Sequence, residues 1–245
     1  MSAELIQGLL SEQEQGELLV GLLADADSRY RDDPWAWLCE QVWTVDEASG
    51  ARARWPAEKG YLQELIDAMT REPMLAIPKS RRMMVTWAAA GWVTHRIRYY
   101  PHNAIFWQSQ TEEKAAFVID QRCTFIEDNL DVPALRRRRV DGKEPEGEEY
   151  RVVRTSRGLI GKLSYGRTKS YAWAVAEGAD VFRSYTPTKL VMDESEFQDR
   201  ARESLVAAIP LVEKGAGIML ISSSNGPRGV IAEECRELGF VRFAQ

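Results

Sequence analysis

Lys79, Ser80, Arg81 and Arg82 put three positive charges into four residues, and Thr86 follows closely. Ahead of them lies a short apolar run, Met74-Leu75-Ala76-Ile77, the length of a buried strand, which Pro78 is expected to end. Behind them, Thr86 and Trp87 open a segment that reads as helix to about Tyr99. Strand, cationic turn and helix with a hydroxyl in its first turn are the parts that hold a triphosphate. Free N–H groups at the helix start and a cation meet the phosphate oxygens, and the hydroxyl ligates Mg²⁺. The common phosphate-loop pattern G-x-x-x-x-G-K-[ST] is absent, because Met84 and Val85 stand where its second Gly and its Lys would be. The competing reading is a surface turn with solvated Lys and Arg before a helix.

Two further apolar runs end in polar residues that suit the same ligand. Leu190-Val191-Met192-Asp193-Glu194 has the form of a Walker B strand. Its first carboxylate suits Mg²⁺; its second, one residue on, points elsewhere and can take a proton from an attacking water. The bland alternative is a strand that meets solvent with two charges. Ile218–Ile221 ends in Ser222 and Ser223, followed by Ser224-Asn225-Gly226. Ten residues before Asp193 stands Arg183. A guanidinium there either meets phosphate charge in a transition state or pairs with Asp180 or Glu177. Spacing alone does not choose.

These positions need a scaffold. Buried strands at Met74–Ile77, Ala104–Trp107, Lys189–Met192 and Ile218–Ile221 alternate with helices predicted at about 58–69, 86–99, 112–127 and 200–209. That alternation predicts an α/β fold with a mostly parallel central sheet flanked by helices. In such sheets ligands bind beyond the carboxyl ends of the strands. Arg151-Val152-Val153, Leu159–Ser164 and Tyr171–Val175 read as a hairpin or meander. Residues 2–30 carry leucines at helical spacing, a docking arm or a lid. Asp33 is a candidate N-cap for a helix opening at Pro34. The clustered Trp35, Trp37 and Trp43 read as core. Glu47–Arg54 reads as a polar turn. Residues 133–149 read as a mobile charged excursion, whose Arg136–Arg139 block either tracks a phosphate backbone or is solvated surface. The expected division is residues 1–56 as an N-terminal helical extension and 57–245 as the core.

Composition sets limits. With 44% hydrophobic and 28% charged residues, the chain is typical of a soluble globule. No apolar run reaches the roughly 20 residues that span a bilayer, so no membrane is expected. The acidic, helical N-terminus does not read as a signal peptide. Three dispersed cysteines and two histidines exclude a disulfide framework and a zinc site, and point to a reduced, cytoplasmic setting. A net charge of −5 confines any nucleic-acid contact to a local patch.

With these motifs in view, the chain resembles the N-terminal ATPase half of the large terminase subunit of tailed bacteriophages, the motor that packages DNA. Several terminases carry a deviant Walker A motif, K-S-x-R-x-G-[YF]-[ST], with its lysine at the start of the loop. Lys79, Ser80, Arg82 and Thr86 match it, and Met84 departs where Gly is usual. The family's Walker B matches Lys189–Glu194, its coupling motif Ile221–Gly226, and its G-A-D-x-x-R-[GS] segment Gly178–Ser184. The resemblance covers about Trp35 to Gly226.

It implies a RecA-like P-loop core of the additional-strand class, with ATP and Mg²⁺ as cofactors. Lys79 would hold the β/γ-phosphates, with Ser80 in the loop and Arg81 or Arg82 assisting. Thr86 and Asp193 would hold Mg²⁺, and Glu194 would activate water. Ser222 and Ser223 would sense the γ-phosphate, and Gln63 is the adenine-side candidate. Arg183 would act on a neighbouring subunit's ATP, which implies a homo-oligomeric ring, by resemblance a pentamer. Implied partners are double-stranded DNA, the portal protein and the small terminase subunit, in the host cytoplasm. Terminases usually continue into a nuclease domain of the ribonuclease H type, for which 245 residues leave no room. Two other readings are a helicase or translocase on the same core, and a nucleotide-binding assembly module without turnover, which Met84 and Val85 favour and Asp193-Glu194 disfavours.

Overall fold

In the computed structural model, residues 12–80, 83–223 and 229–243 are described. The first elements are helices α1 (Glu12–Asp32) and α2 (Pro34–Gln41). Asp33 caps α2 as expected, its carboxylate accepting from the Ala36 amide at 2.9 Å. Such a cap stabilises by about 1 kcal/mol. A hairpin follows, β1 (Trp43–Val45) against β2 (Arg52–Arg54), where the sequence reads as a polar turn. Tyr30, Trp37, Leu38, Val42 and Trp55 are buried in the same core cluster as Leu75, Ile77 and Val191.

The main sheet is built from β3 (Met74–Lys79), β4 (Ala104–Ser109), β5 (Arg138–Val140), β6 (Glu149–Arg154), β7 (Ile160–Tyr165), β8 (Tyr171–Ala176), β9 (Lys189–Asp193), β10 (Gly217–Ser223) and β11 (Val241–Arg242). Their spatial order is β11-β3-β10-β9-β4-β8-β7-β6-β5. From β11 to β8 neighbouring strands run parallel, and β8, β7 and β6 form the antiparallel meander that their sequence predicts. The fold class is therefore the predicted one, a mostly parallel α/β sheet flanked by helices. Strand β10 is inserted between β3 and β9, so the strands carrying the cations and the carboxylates are each hydrogen-bonded to it and not to each other. The parallel strands β4, β9 and β10 are buried on both faces, as their continuous apolar runs require.

Pro78 does not end β3. It lies inside the strand, in register with Ser222 of β10. Its missing N–H is tolerated because β11, on the other side, pairs only with Leu75 and Ala76.

The flanking helices are α3 (Gly60–Arg71), α4 (Val85–Tyr99), α5 (Glu112–Val118), α6 (Phe125–Asp128), α7 (Asp180–Ser184), α8 (Ala201–Val212) and α9 (Val230–Glu237). A π-helical stretch, Ile119–Thr124, joins α5 to α6 where an uninterrupted helix is expected. Helix α4 is buried nearly all round, from Val85 to Tyr99.

Residues 133–149 depart from the expected excursion. A 3₁₀ turn (Pro133–Leu135) and β5 occupy them, and the four arginines have partners within the chain. Arg136 donates to the Leu130 carbonyl, Arg137 pairs with Asp27 at 3.4 Å, Arg138 pairs with Glu149, and Arg139 lies 3.6 Å from Asp141. Among the described residues, no helix is long and apolar enough to cross a membrane.

Candidate functional site

The site lies at the carboxyl ends of β3, β9 and β10. Their register aligns Ser223 with Lys79 and Ile221 with Asp193, so the three polar ends come level. Lys79 Nζ stands between them. It donates to Thr86 Oγ1 at 3.0 Å, and pairs with Asp193 Oδ1 at 3.5 Å and Glu194 Oε1 at 2.9 Å. A cation, a hydroxyl and two carboxylates from three elements thus meet at one point.

The loop between β3 and α4 takes a defined path at its end. Met84 caps α4 with φ +53° and ψ +12°, the left-handed conformation. Glycine enters that region at no steric cost, whereas a side chain costs about 1–2 kcal/mol. The backbone that Gly would supply at this position is therefore present with Met. Tyr61 Oη, from α3, donates to the Met83 carbonyl at 3.2 Å and ties the loop to that helix. Ser80 is exposed and lines the cavity. Arg81 and Arg82 lie outside the described residues.

On a regular strand Glu194 would point away from Asp193. Instead both carboxylates reach Lys79, because the chain leaves β9 at Glu194 with φ +53°. Strained backbone of this kind collects at functional sites. Asp193 is buried, and burial holds its carboxyl above the usual aspartate range. Lys79 works against that burial, and the charge of Glu194 adds to it. Ser222, fully buried, donates to Glu194 Oε2 at 3.4 Å and accepts from the Glu196 amide at 3.2 Å. Gln198 donates to the Asp193 carbonyl at 2.8 Å and accepts from Gln108 at 2.8 Å, fixing the strand end from beneath.

Two cavities open here. One, of about 340 Å³, is lined by Lys79, Ser80, Met84, Thr86, Arg122 and Glu194 among others. The other, about 940 Å³, reaches from Asp193 and Glu194 to Ser109, Phe117 and Phe197. Thr86, Arg122, Glu194 and Ser223 line both.

Most predicted site residues converge. Lys79, Ser80, Thr86, Glu194 and Ser223 line the smaller cavity, Asp193 lines the larger, and Ser222 touches Glu194. Gln63 is exposed on α3 and lines neither cavity. The backbone of Arg183 lies in α7, between β8 and β9, and its side chain is outside the described part.

Of the charged residues lining the smaller cavity, two escape the sequence reading. Glu47 comes from the β1–β2 turn, and Arg122 from the π-helical stretch. The one signal for Arg122 is its position four residues after the buried Val118, an arginine on an apolar face.

Thr86 Oγ1 and Asp193 Oδ1, which both face the Lys79 ammonium, are hard oxygen donors. A hydroxyl and one carboxylate, completed by phosphate and water, are what Mg²⁺ takes in nucleotide sites, so the residues present fit that ion.

No protein-family model matches the chain, and no curated protein matches it. Among solved structures it is similar to the large terminase of bacteriophage HK97, with a TM-score of 0.57 and 14% identity over 87% of this chain and 43% of that one. It is also similar to the large terminase of a thermophilic bacteriophage, with a TM-score of 0.50 and 11% identity over 75% of this chain and 44% of that one. The chain spans less than half the length of either protein. At such identities the likeness is one of fold: this chain is built on the RecA-like α/β architecture found in phage large terminases.

Proposed function

We propose that this chain is the ATP-hydrolysing motor domain of a terminase large subunit, driving double-stranded DNA into a prohead. The observation that carries the reading is the meeting of Lys79, Thr86, Asp193 and Glu194 at the ends of β3 and β9. Lys79 and the amides at the start of α4 would hold the phosphates. Ser80, Arg81 and Arg82 belong to the same loop. Thr86 and Asp193 would hold Mg²⁺, which when bound neutralises phosphate charge. Glu194, oriented by Ser222, is the base for the attacking water. Ser222 and Ser223 are placed to register the terminal phosphate. We retain Gln63 as the adenine-side candidate and Arg183 as the residue serving a neighbouring subunit in a ring. DNA, the portal protein and the small terminase subunit are the proposed partners, residues 1–56 the proposed extension, and the host cytoplasm the proposed setting.

The non-hydrolysing alternative draws on Met84 and Val85. The left-handed backbone at Met84 supports the hydrolytic reading instead, since the loop keeps the turn that Gly would make. The test is steady-state ATPase of the purified chain over a range of concentrations, with and without DNA, alongside calorimetric titration of Mg-ATP. Mg²⁺-dependent turnover that DNA raises is expected. Binding without turnover at every concentration selects the assembly module, and absence of binding removes the nucleotide reading.

A further inference from the structure

Arg122, like Glu47, is a residue of this site for which the sequence assigns no role. It sits in the π-helical stretch Ile119–Thr124, a distortion that re-aims a side chain and is frequent at functional sites. Its side chain is 16% exposed. The guanidinium lies over the Trp87 ring at 5.4 Å and the Phe117 ring at 5.8 Å, so two aromatic faces set its direction. Its nearest carboxylate oxygen is on Glu47, 3.7 Å away, from a side chain 68% exposed. Its Nε is buried with no hydrogen-bond partner among the described residues. Asp193 exerts an electrostatic pull on it, and burial opposes its charge. A guanidinium offers five donors in a rigid fork, and these surroundings use few of them.

Its location narrows what would use them. Arg122 lines both cavities, together with Thr86, Glu194 and Ser223. On the nucleotide reading, a phosphate held by Lys79 and the start of α4 would lie in the smaller cavity. The larger is lined by both Asp193 and Glu194, the proposed metal ligand and base, so Arg122 sits where the two cavities meet around them. We infer that Arg122 is a phosphate-contacting residue, acting within its own subunit on the terminal phosphate of a bound nucleoside triphosphate and exchanging Glu47 for that ligand. This rests on the nucleotide reading above. It differs from the role of Arg183, which is assigned to a neighbour's site.

The test is calorimetric titration of the full chain and of Arg122→Gln with Mg-ATPγS and with Mg-ADP, alongside thermal melts of each protein. Arg122→Gln is expected to weaken ATPγS by about 10-fold or more beyond any change for ADP, the loss of one charge-assisted contact. An equal change for both nucleotides, or none, overturns the inference and leaves Arg122 a structural cation. If the unaltered chain binds neither nucleotide, the nucleotide reading itself fails, before any variant is compared. Should Arg122→Gln not fold, Glu47→Gln decides, since Glu47 is largely exposed. Releasing the guanidinium should then tighten ATPγS by roughly 2–5-fold with ADP unchanged, and an unaltered ATPγS affinity overturns the inference.

Discussion

Lys79 and Glu194 share a contact of 2.9 Å, yet they are expected to fail differently when changed. On the proposed reading, Lys79→Ala would remove a charge-assisted contact to phosphate, worth about 1.5–3 kcal/mol in binding and more in a transition state. Turnover should vanish while the fold survives, as followed by ATPase assay and circular dichroism. Near-normal turnover would pass the role to Arg81 or Arg82. Glu194→Gln keeps the shape and would lose the proposed base. It should bind Mg-ATP and hydrolyse it about 10²–10⁴-fold more slowly, and normal hydrolysis would move the role to another carboxylate. At this scale the sequence is legible where chemistry demands a residue type. Lysine, threonine and paired acids at strand ends declare themselves. Met84 is read differently at the two levels: its identity departs from the Gly of the loop pattern, while its backbone takes the left-handed turn that Gly would make. Arg122 is nearly silent, because an arginine four residues after an apolar Val118 is a weak signal; the π-helical distortion and two rings give it a direction.

Among the elements, the parallel strands are readable because burial on both faces forces continuous apolar runs, and β3, β4, β9 and β10 all carry them. The β1–β2 hairpin is not, since Arg52–Arg54 is mostly exposed and Arg52 and Arg54 stack on Trp43 at 4.0 and 4.1 Å without an alternating apolar pattern. Strand β5 is hidden for a similar reason: charge masks it. Its support is a buried network. Arg98, with a fully buried side chain, donates to both oxygens of Glu127 at 2.6 Å, Tyr165 Oη donates to the same carboxylate at 2.7 Å, and the Arg137 amide donates to it at 2.8 Å. Glu127 thus joins α4, α6, β7 and the approach to β5. Glu127→Ala would strand the Arg98 charge in the interior, and should cost about 3–5 kcal/mol in denaturant unfolding. A loss below about 1 kcal/mol would mean that water reaches Arg98 in the folded state. Arg137 is engaged in the same way with Asp27 of α1, so it is a poor candidate for gripping DNA. Reversal of the exposed Arg138 is the fairer trial of that idea, with DNA-stimulated ATPase as the readout.

Across the whole molecule, the N-terminal helix is fastened to the sheet domain partly through a proton. His95 is buried on α4, and its Nε2 donates to the Tyr30 carbonyl of α1 at 2.7 Å. Burial lowers its pKa from 6.5 to about 4. The unfolded chain therefore takes up a proton at His95 between about pH 6.5 and 4, while the folded chain does not. Stability from this group is full above pH 6.5 and is lost as pH falls toward 4, by on the order of 3 kcal/mol. Urea unfolding of the wild type and His95→Gln across that range should give a flatter pH dependence for the variant, and equal slopes would remove His95 as the cause. Assembly is tested by mixing Arg183→Ala with Glu194→Gln. If Arg183 serves a neighbour, mixed rings regain activity; if it serves its own subunit, the mixture stays at the background of the two mutants. The inserted strand β10 bears on what such a ring can do with its energy. It is laddered to β3 through Ser223 and Lys79, and to β9 through Ile221 and Asp193. Neither ladder can slide without breaking buried hydrogen bonds, so on the proposed reading the three ends would serve as a fixed platform for the phosphate. If the chain drives DNA as proposed, the stroke would originate outside the sheet, and α9, which follows β10, is the element proposed to carry it. Amides of β10 should exchange with solvent at the same slow rate in ATP-bound and ADP-bound protein, while those of α9 should change their protection between the two.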